Sequence, residues 1–202
     1  YMYETKVVDY KTAARNGEPF MQLIKVRGIA PNPVARFCTV DLKIRAIRDF
    51  VDSIAWEMPY VGFIGIRADE QRRAAKMHGT KESGQERFLP LWLDGVTKEH
   101  IYDFWINSDF DLNLPNNNGV TDWGNCDLCF LKGHSKRMSI VRERPDLADW
   151  WIDAEASLSK DVGKAAYFRS DTPSYSDMKI IATCQDSLDF GDDESIPCFC
   201  GD

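Results

Sequence analysis

The sequence lacks the features that mark several broad classes of protein. No apolar run comes near the roughly 20 residues of a membrane-spanning helix. The start of the chain shows neither the basic residues nor the apolar segment of a secretory signal. The Gly-x-Ser-x-Gly elbow of serine hydrolases does not occur. We therefore expect a cytoplasmic protein without membrane contact, and not a hydrolase of that type.

Positive charge is not in excess either. Against 25 Lys and Arg residues stand 32 Asp and Glu residues, which gives a net charge of −7. A global electrostatic attraction to nucleic acid is therefore not indicated, although a local basic patch remains open. The 202 residues, 44% of them hydrophobic, suffice for a buried core.

The order of the apolar patterns predicts the α/β class. Two short apolar runs, 60–66 and 88–93, are typical of strands, and the first has the continuous pattern of a strand buried on both faces. Helical patterns precede, separate and follow them, which favours a parallel sheet. The predicted helices cover 42–54, 67–77, 97–105, 135–142, 145–158 and 175–183, and a long loop covers 107–125. We predict an α/β core over 1–106 and a helical, cysteine-rich extension over 107–202.

The six cysteines are the feature of the composition that most needs an explanation. Three disulfides would suit a secreted protein, but the chain has no secretory signal and is long enough to build its own core. A metal or iron–sulfur site is the better interpretation. Cys126 and Cys129 form a Cys-x-x-Cys turn, Cys198 and Cys200 form a second close pair, and thiolates suit zinc or an iron–sulfur cluster. A redox dithiol or buried inert thiols remain alternatives.

Two further segments carry charged residues where an anion could bind. Gly65, Arg67, Asp69 and Glu70 follow the first predicted strand, at the sheet edge where α/β proteins bind ligands. Arg67 can hold a phosphate or sulfate through two N–H groups. Lys43 and Arg45 lie on the helix that follows Cys38, where they could bind an anion or lower the pKa of that thiol. The alternatives are an ion pair at a strand end and a solvated helix face.

Taken together, these segments resemble the phosphoadenosine phosphosulfate reductase-like family of the adenine-nucleotide alpha-hydrolase, or PP-loop ATP pyrophosphatase, superfamily, and most of all its bacterial and phage branch. The matching pieces run in the family order over nearly the whole chain. They are Arg36-Phe-Cys-Thr, Leu42-Lys43-Ile-Arg45, Gly65-Ile-Arg-Ala-Asp-Glu70, Pro90-Leu, Gly95-Val-Thr-Lys98, Phe110-Asp-Leu, Gly124-Asn-Cys-Asp-Leu-Cys-Phe-Leu-Lys132 and the terminal Cys-Phe-Cys-Gly-Asp.

The resemblance implies a doubly wound, mostly parallel sheet that binds ATP or phosphoadenosine phosphosulfate, with Arg67 and Glu70 in the pocket and Lys43 near the anionic group. It also implies a 4Fe–4S cluster on Cys38, Cys126 and Cys129. The family has adjacent cysteines at the first place, whereas Phe37 precedes Cys38 here. The fourth ligand would then be Cys198 or Cys200, unless one of these is the catalytic cysteine.

Three functions follow as expectations. The first is sulfonucleotide reduction, in which a thiolate attacks the substrate sulfur and a thiol or iron–sulfur protein donates electrons. The second is ATP-dependent sulfur modification of nucleic acid, and the third is a non-catalytic module stabilised by zinc. A homodimer is compatible with each of them.

One departure from the family concerns the nucleotide phosphates. The Ser-Gly-Gly phosphate loop of the superfamily is absent from these 202 residues. The motif order therefore predicts an N-terminally truncated core, and the enzyme function would belong to the parent protein.

Overall fold

The computed structural model describes residues 4–55, 60–77, 86–115, 121–163 and 166–184. In chain order the helices are α1 (Glu18–Arg27), α2 (Phe37–Thr39), a π-helix (Val40–Arg45), α3 (Ala46–Ala55), α4 (Gln71–Met77), α5 (Pro90–Leu93), α6 (Lys98–Ile106), α7 (His134–Glu143), α8 (Leu147–Val162) and α9 (Tyr175–Cys184). The strands are β1 (Val61–Phe63) and β2 (Glu86–Phe88). No helix in the described part is both long and apolar enough to cross a membrane.

The chain divides into two compact units. The first unit is formed by the described residues within 1–46 and 122–200, and the second by those within 47–121. This division differs from the predicted boundary after residue 106, because the residues before α3 join the cysteine-rich part of the chain. We refer to the two parts as the cysteine unit and the sheet unit.

The core of the cysteine unit is aromatic and lies between α1, α7, α8 and α9. The Trp151 and Tyr175 rings stack with their centroids 5.0 Å apart, and Phe130 stacks on Phe168 at 5.8 Å. Aromatic side chains bury much apolar area each, so this cluster supplies most of the hydrophobic stabilisation of the unit. The predicted helices of this region are confirmed within a few residues at each end.

In the sheet unit, β1 and β2 pair in parallel, with Val61 opposite Glu86 and Phe63 opposite Phe88. A mixed helix and strand structure with parallel pairing agrees with the predicted α/β class. The core of the unit is small and consists of Ile66, Ala74, Met77 and Leu89.

Two predictions for the sheet unit are wrong, and one predicted helix, α3, is present but exposed on its apolar face. The run 60–66 is not buried on both faces, because β1 has one neighbouring strand among the described residues and leaves Phe63 71% exposed. The run 88–93 is not a strand beyond Phe88, since Pro90 begins α5, a position where proline needs no backbone N–H. The apolar stripe of α3 is present but not buried, and Ile47 and Ile54 are 61% and 66% exposed.

The π-helix in the cysteine unit surrounds a buried carboxylate. Asp41 is 7% exposed, and its two oxygens meet Arg27 at 2.6 Å and Arg45 at 2.8 Å. A buried charge is tolerated when it is paired. The wider turn of the π-helix occurs where the chain brings Asp41 into the unit between these two arginines, and π-helical turns are frequent at functional sites.

Candidate cysteine site and charged strand end

The Cys-x-x-Cys segment lies in the loop that leads to α7. Asn125 adopts a left-handed backbone with φ of 63° just before Cys126, a conformation that asparagine tolerates better than most residues. The backbone N–H of Cys129 then donates to the carbonyl of Cys126 at 3.4 Å, and the N–H of Lys132 to the carbonyl of Cys129 at 2.9 Å. These bonds turn the chain so that both thiols belong to one short loop, which we call the cysteine loop (residues 125–132).

Three side chains fix the cysteine loop. The Tyr175 hydroxyl of α9 donates to the carbonyl of Leu128 at 2.6 Å, and the Trp151 indole of α8 donates to the Asp127 carboxylate at 3.1 Å. The Lys132 ammonium donates to the carbonyls of Asp122 and Asp127. Donors from two helices and from the loop itself therefore hold the backbone around the thiols, which limits the rearrangement that ligand binding would need.

The Tyr175 hydroxyl should be the most sensitive of these supports, because its acceptor is buried. We expect Tyr175→Phe to lower the free energy of unfolding by about 1–2 kcal/mol, the cost of a buried carbonyl that loses its donor. Urea denaturation followed by tryptophan fluorescence measures the change. Tyr167→Phe is the matched control, since Tyr167 is 49% exposed. Equal stability of the two variants would contradict the anchoring role.

Cys38 lies near the cysteine loop although 87 positions of sequence separate it from Cys126. Burial is the main cause that raises the pKa of the Cys38 thiol, and negative charge on Cys126 raises it further. Burial also raises the pKa of Cys129 to about 11, again with contributions from Cys126 and Cys38. Charges act on one another in this way only at short range. The three thiols that were predicted as ligands therefore lie within electrostatic range of one another.

The described residues do not form a ready metal centre. Among them, no group of three or more His, Cys, Asp or Glu side chains is placed to hold one metal ion. Bond lengths of about 2.3 Å to a tetrahedral zinc would put two sulfurs only ~3.8 Å apart. A 4Fe–4S cluster binds each cysteine to a different iron and so needs sulfurs farther apart. Cys198 and Cys200, the two candidates for a fourth ligand, lie outside the described residues.

Cys184 lies outside the cysteine loop, at the end of α9. It is exposed, as Cys126 is, whereas Cys38 and Cys129 are half-buried and pack against the core of the cysteine unit. From the sequence Cys184 is predicted not to be a ligand, because it ends a helix without a second cysteine nearby, and this stays a prediction.

The stability of the metal-free protein should depend on pH through the thiol of Cys129. The folded pKa of about 11 lies above the ordinary value of 9.0. The protonated thiol therefore stabilises the fold fully below pH 9, and this contribution is lost as the pH rises from 9 through 11.

We expect Cys129 to resist alkylation by iodoacetamide at pH 8 while exposed Cys126 reacts. Peptide mass spectrometry after timed alkylation, from pH 7 to 11, measures both sites. Faster labelling of Cys129 than of Cys126 at pH 8 would refute this order.

The two cations near Cys38 differ in their surroundings. The Lys43 side chain is exposed, and its charge lowers the pKa of the Cys38 thiol. Arg45 pairs with Asp41, so part of its charge is already compensated. Lys43 therefore lies within electrostatic range of the Cys38 thiol, and Arg45 is held by Asp41.

The predicted anion site after β1 is an ion-pair network within the sheet unit. The Arg67 guanidinium donates to both oxygens of Asp69, at 2.9 and 3.2 Å, and its NH1 lies 3.8 Å from Glu70. The bond to Asp69 is the largest cause that raises the pKa of Arg67. Glu70 also accepts from the Arg67 backbone at 3.1 Å and pairs with Arg73. These contacts fix the guanidinium in place and compensate part of its charge.

Gly65 adds little to this geometry. A Cβ atom there would lie 3.8 Å from the Leu91 side chain, an ordinary contact. The described surroundings thus do not require glycine at this position, and the prediction that Gly65 belongs to a nucleotide pocket rests on the sequence motif.

Several residues of the two sites were not singled out from the sequence. Asp41, Lys132 and Tyr175 have their roles through contacts with distant parts of the chain. For Lys132 a signal was present, since it follows Cys129 by three residues and its amide closes the turn. Tyr175 gave no signal beyond its place at the start of a predicted helix.

The described protein is thus of mixed α/β class and carries three neighbouring thiols and a charged strand end. No family model matches the sequence, and no solved structure is similar to it. Over 119 residues, 59% of this chain, it is 30% identical to an uncharacterised nin region protein, ORF290, of Escherichia phage lambda. The match covers 37% of that protein, so the chain spans little more than a third of its curated relative.

Proposed function

We propose that the chain is part of a phosphoadenosine phosphosulfate reductase-like enzyme that carries an iron–sulfur cluster and binds an adenine nucleotide or sulfonucleotide. The observation that supports this proposal is that Cys38, Cys126 and Cys129 lie within electrostatic range of one another in the cysteine unit. The family resemblance implied this grouping, whereas helical and strand periodicity did not.

Cys38, Cys126 and Cys129 would hold the cluster, with a fourth ligand from Cys198 or Cys200. A bound 4Fe–4S cluster supplies a delocalised redox-active charge. The chain's own contribution is to hold the thiols in a fixed loop and to place Lys43 and Lys132 nearby, where their charges favour thiolate. Similarity to a phage protein agrees with the phage branch of the family.

The nucleotide would bind at the sheet unit, in a doubly wound sheet of which β1 and β2 form part. Parallel pairing and the position of Arg67 after β1 support this, because ligands of such sheets bind at the carboxyl ends of the strands. Arg67, held by Asp69 and Glu70, would face the anionic group of the ligand.

Two measurements test the proposal separately. Anaerobic purification followed by iron and acid-labile sulfide analysis should give a brown protein with both elements in equal amounts. A colourless protein with stoichiometric zinc would exclude the cluster and favour a zinc-stabilised binding module, which chelation should unfold. Calorimetric titration with ATP and with phosphoadenosine phosphosulfate tests the nucleotide site. Preference for the sulfonucleotide supports reduction, and preference for ATP supports the sulfur-modification alternative.

A further inference from the structure

The sheet unit contains a pocket beside the charged strand end, and the two share Arg67. It has a volume of about 330 Å³ and lies between α6 and the segment that follows it, with Arg67 at its edge. A volume of this order is that of small-molecule sites in proteins. We call it the α6 pocket.

The walls of the α6 pocket are mainly apolar. Tyr102 and Trp105 of α6 provide two aromatic rings, and Leu112 faces them from the segment after the helix. Leu112 is 60% exposed and Ile106, another lining residue, is 62% exposed. A ligand with an apolar or aromatic body would remove this surface from water, which is favourable in proportion to the area covered.

One lining cation forms no ion pair among the described residues. The Lys98 side chain is half-buried, and its ammonium forms no ion pair or hydrogen bond within the part of the chain that the structure describes. Its backbone is fixed, because the N–H of Lys98 donates to the Asp69 carboxylate that also holds Arg67. Asp69 therefore keeps both cationic residues at the same edge of the pocket.

The lining also contains one carboxylate, Asp111, without a charged partner among the described residues. Asp111 is exposed, so water and salt screen its charge. Arg67 is paired with Asp69 and Glu70, and Lys98 attracts the exposed carboxylate of the neighbouring Glu99. Lys98 is half-buried and forms no ion pair among the described residues, so it is the lining cation that an anionic head group would meet.

We propose that the α6 pocket binds a small molecule with an apolar or aromatic body and an anionic head group, the head group at Lys98 and the body against Tyr102 and Trp105. The head group can be a carboxylate or a phosphate, since an ammonium binds both as a point charge. This inference does not rest on the proposed function, because it needs neither the cysteines nor a bound nucleotide.

Calorimetric titration with four probes separates the contributions of body and charge. Phenyl phosphate and phenylacetate carry both, phenol carries the ring alone, and inorganic phosphate carries the charge alone. We expect one saturable site for at least one of the first two probes, with the ring alone and the anion alone each bound at least about tenfold more weakly. The stronger of the first two probes identifies the head group. Absence of saturable binding of both phenyl probes, or equal affinity for phenol, would overturn the proposal.

Charge-changing variants test the placement of the head group. Lys98→Gln removes the positive charge while keeping a polar side chain and should weaken the preferred probe about tenfold. Asp111→Asn should leave the affinity unchanged or raise it about twofold, since it removes a screened like charge. Weaker binding in Asp111→Asn together with unchanged binding in Lys98→Gln would refute the anion site.

Two further variants separate this site from the rest of the protein. Trp105→Ala should abolish saturation by removing the aromatic wall, and circular dichroism establishes that this variant still folds. Cys129→Ser should bind the probe as the wild type does, which distinguishes failure of the pocket from failure of the cluster.

Discussion

Cys38→Ser should lose most of the iron that the wild-type protein binds when both are purified anaerobically. Serine matches the size of cysteine but offers a hard hydroxyl in place of a soft thiolate, which iron–sulfur clusters require. Cys38 comes from a segment far from the cysteine loop in sequence, so its loss tests the spatial grouping and not only the Cys-x-x-Cys turn. Iron and acid-labile sulfide per chain, with the visible absorption band of the cluster, measure the effect.

The matched control is Cys184→Ser, which should keep its iron because Cys184 is an exposed residue at the end of α9. Cys198→Ser and Cys200→Ser complete the series, and one of them should behave as Cys38→Ser does. Equal iron in the Cys38→Ser and wild-type proteins would show that the three thiols do not act together. Loss of iron in Cys184→Ser would require a different ligand set.

The elements that could be predicted from the sequence are those governed by local signals. Thr97 indicated a helix start, and α6 begins at the next residue with the Thr97 backbone N–H bonded to His100 Nδ1 at 3.0 Å. Ser174 caps the predicted helix 175–183 in the same way, because its hydroxyl oxygen accepts from the backbone N–H of Asp177 at 3.1 Å. Capping depends on residues within one turn, so it is readable without the fold.

The elements that could not be predicted depend on distant contacts. The π-helix forms where Asp41 is buried against Arg27, which lies 14 residues earlier. Periodicity in 42–54 predicted an amphipathic helix, and such a pattern shows which face is apolar but not whether anything covers it. The exposed Ile47 and Ile54 illustrate that difference.

The residues of the candidate site likewise divide into those that the sequence identified and those that depend on distant contacts. Cys126 and Cys129 were identifiable by their spacing, and the resemblance to a family added Cys38. The supports of the loop were not identifiable, because Tyr175 and Trp151 reach it from helices that only the fold brings close. Similarly, Arg67 was identified as a candidate, whereas its double contact with Asp69 became clear from the geometry.

The cysteine loop also depends on a buried charge deeper in the same unit, and Glu155→Leu should be the most destabilising single change there. Glu155 is 6% exposed and accepts from the backbone N–H groups of Phe168 and Tyr175, each at 3.3 Å. Arg137, 1% exposed, lowers the pKa of Glu155 while burial raises it more. Leucine would leave two buried backbone donors without their acceptor and would remove the negative charge that acts on the buried Arg137, at a cost of about 3–5 kcal/mol.

Hydrogen exchange followed by mass spectrometry should show this loss as faster exchange over α8, α9 and the cysteine loop, since Tyr175 links Glu155 to Leu128. Glu155→Gln should cost less, because it keeps an acceptor and removes the burial cost of the ionised carboxylate. Asp153→Leu on the exposed face of the same helix is the control and should change stability by no more than about 0.5 kcal/mol. If the Glu155→Leu and Asp153→Leu variants exchange their amide hydrogens at the same rates, the buried carboxylate does not hold the unit together. The rigidity of the cysteine loop must then come from the aromatic core alone.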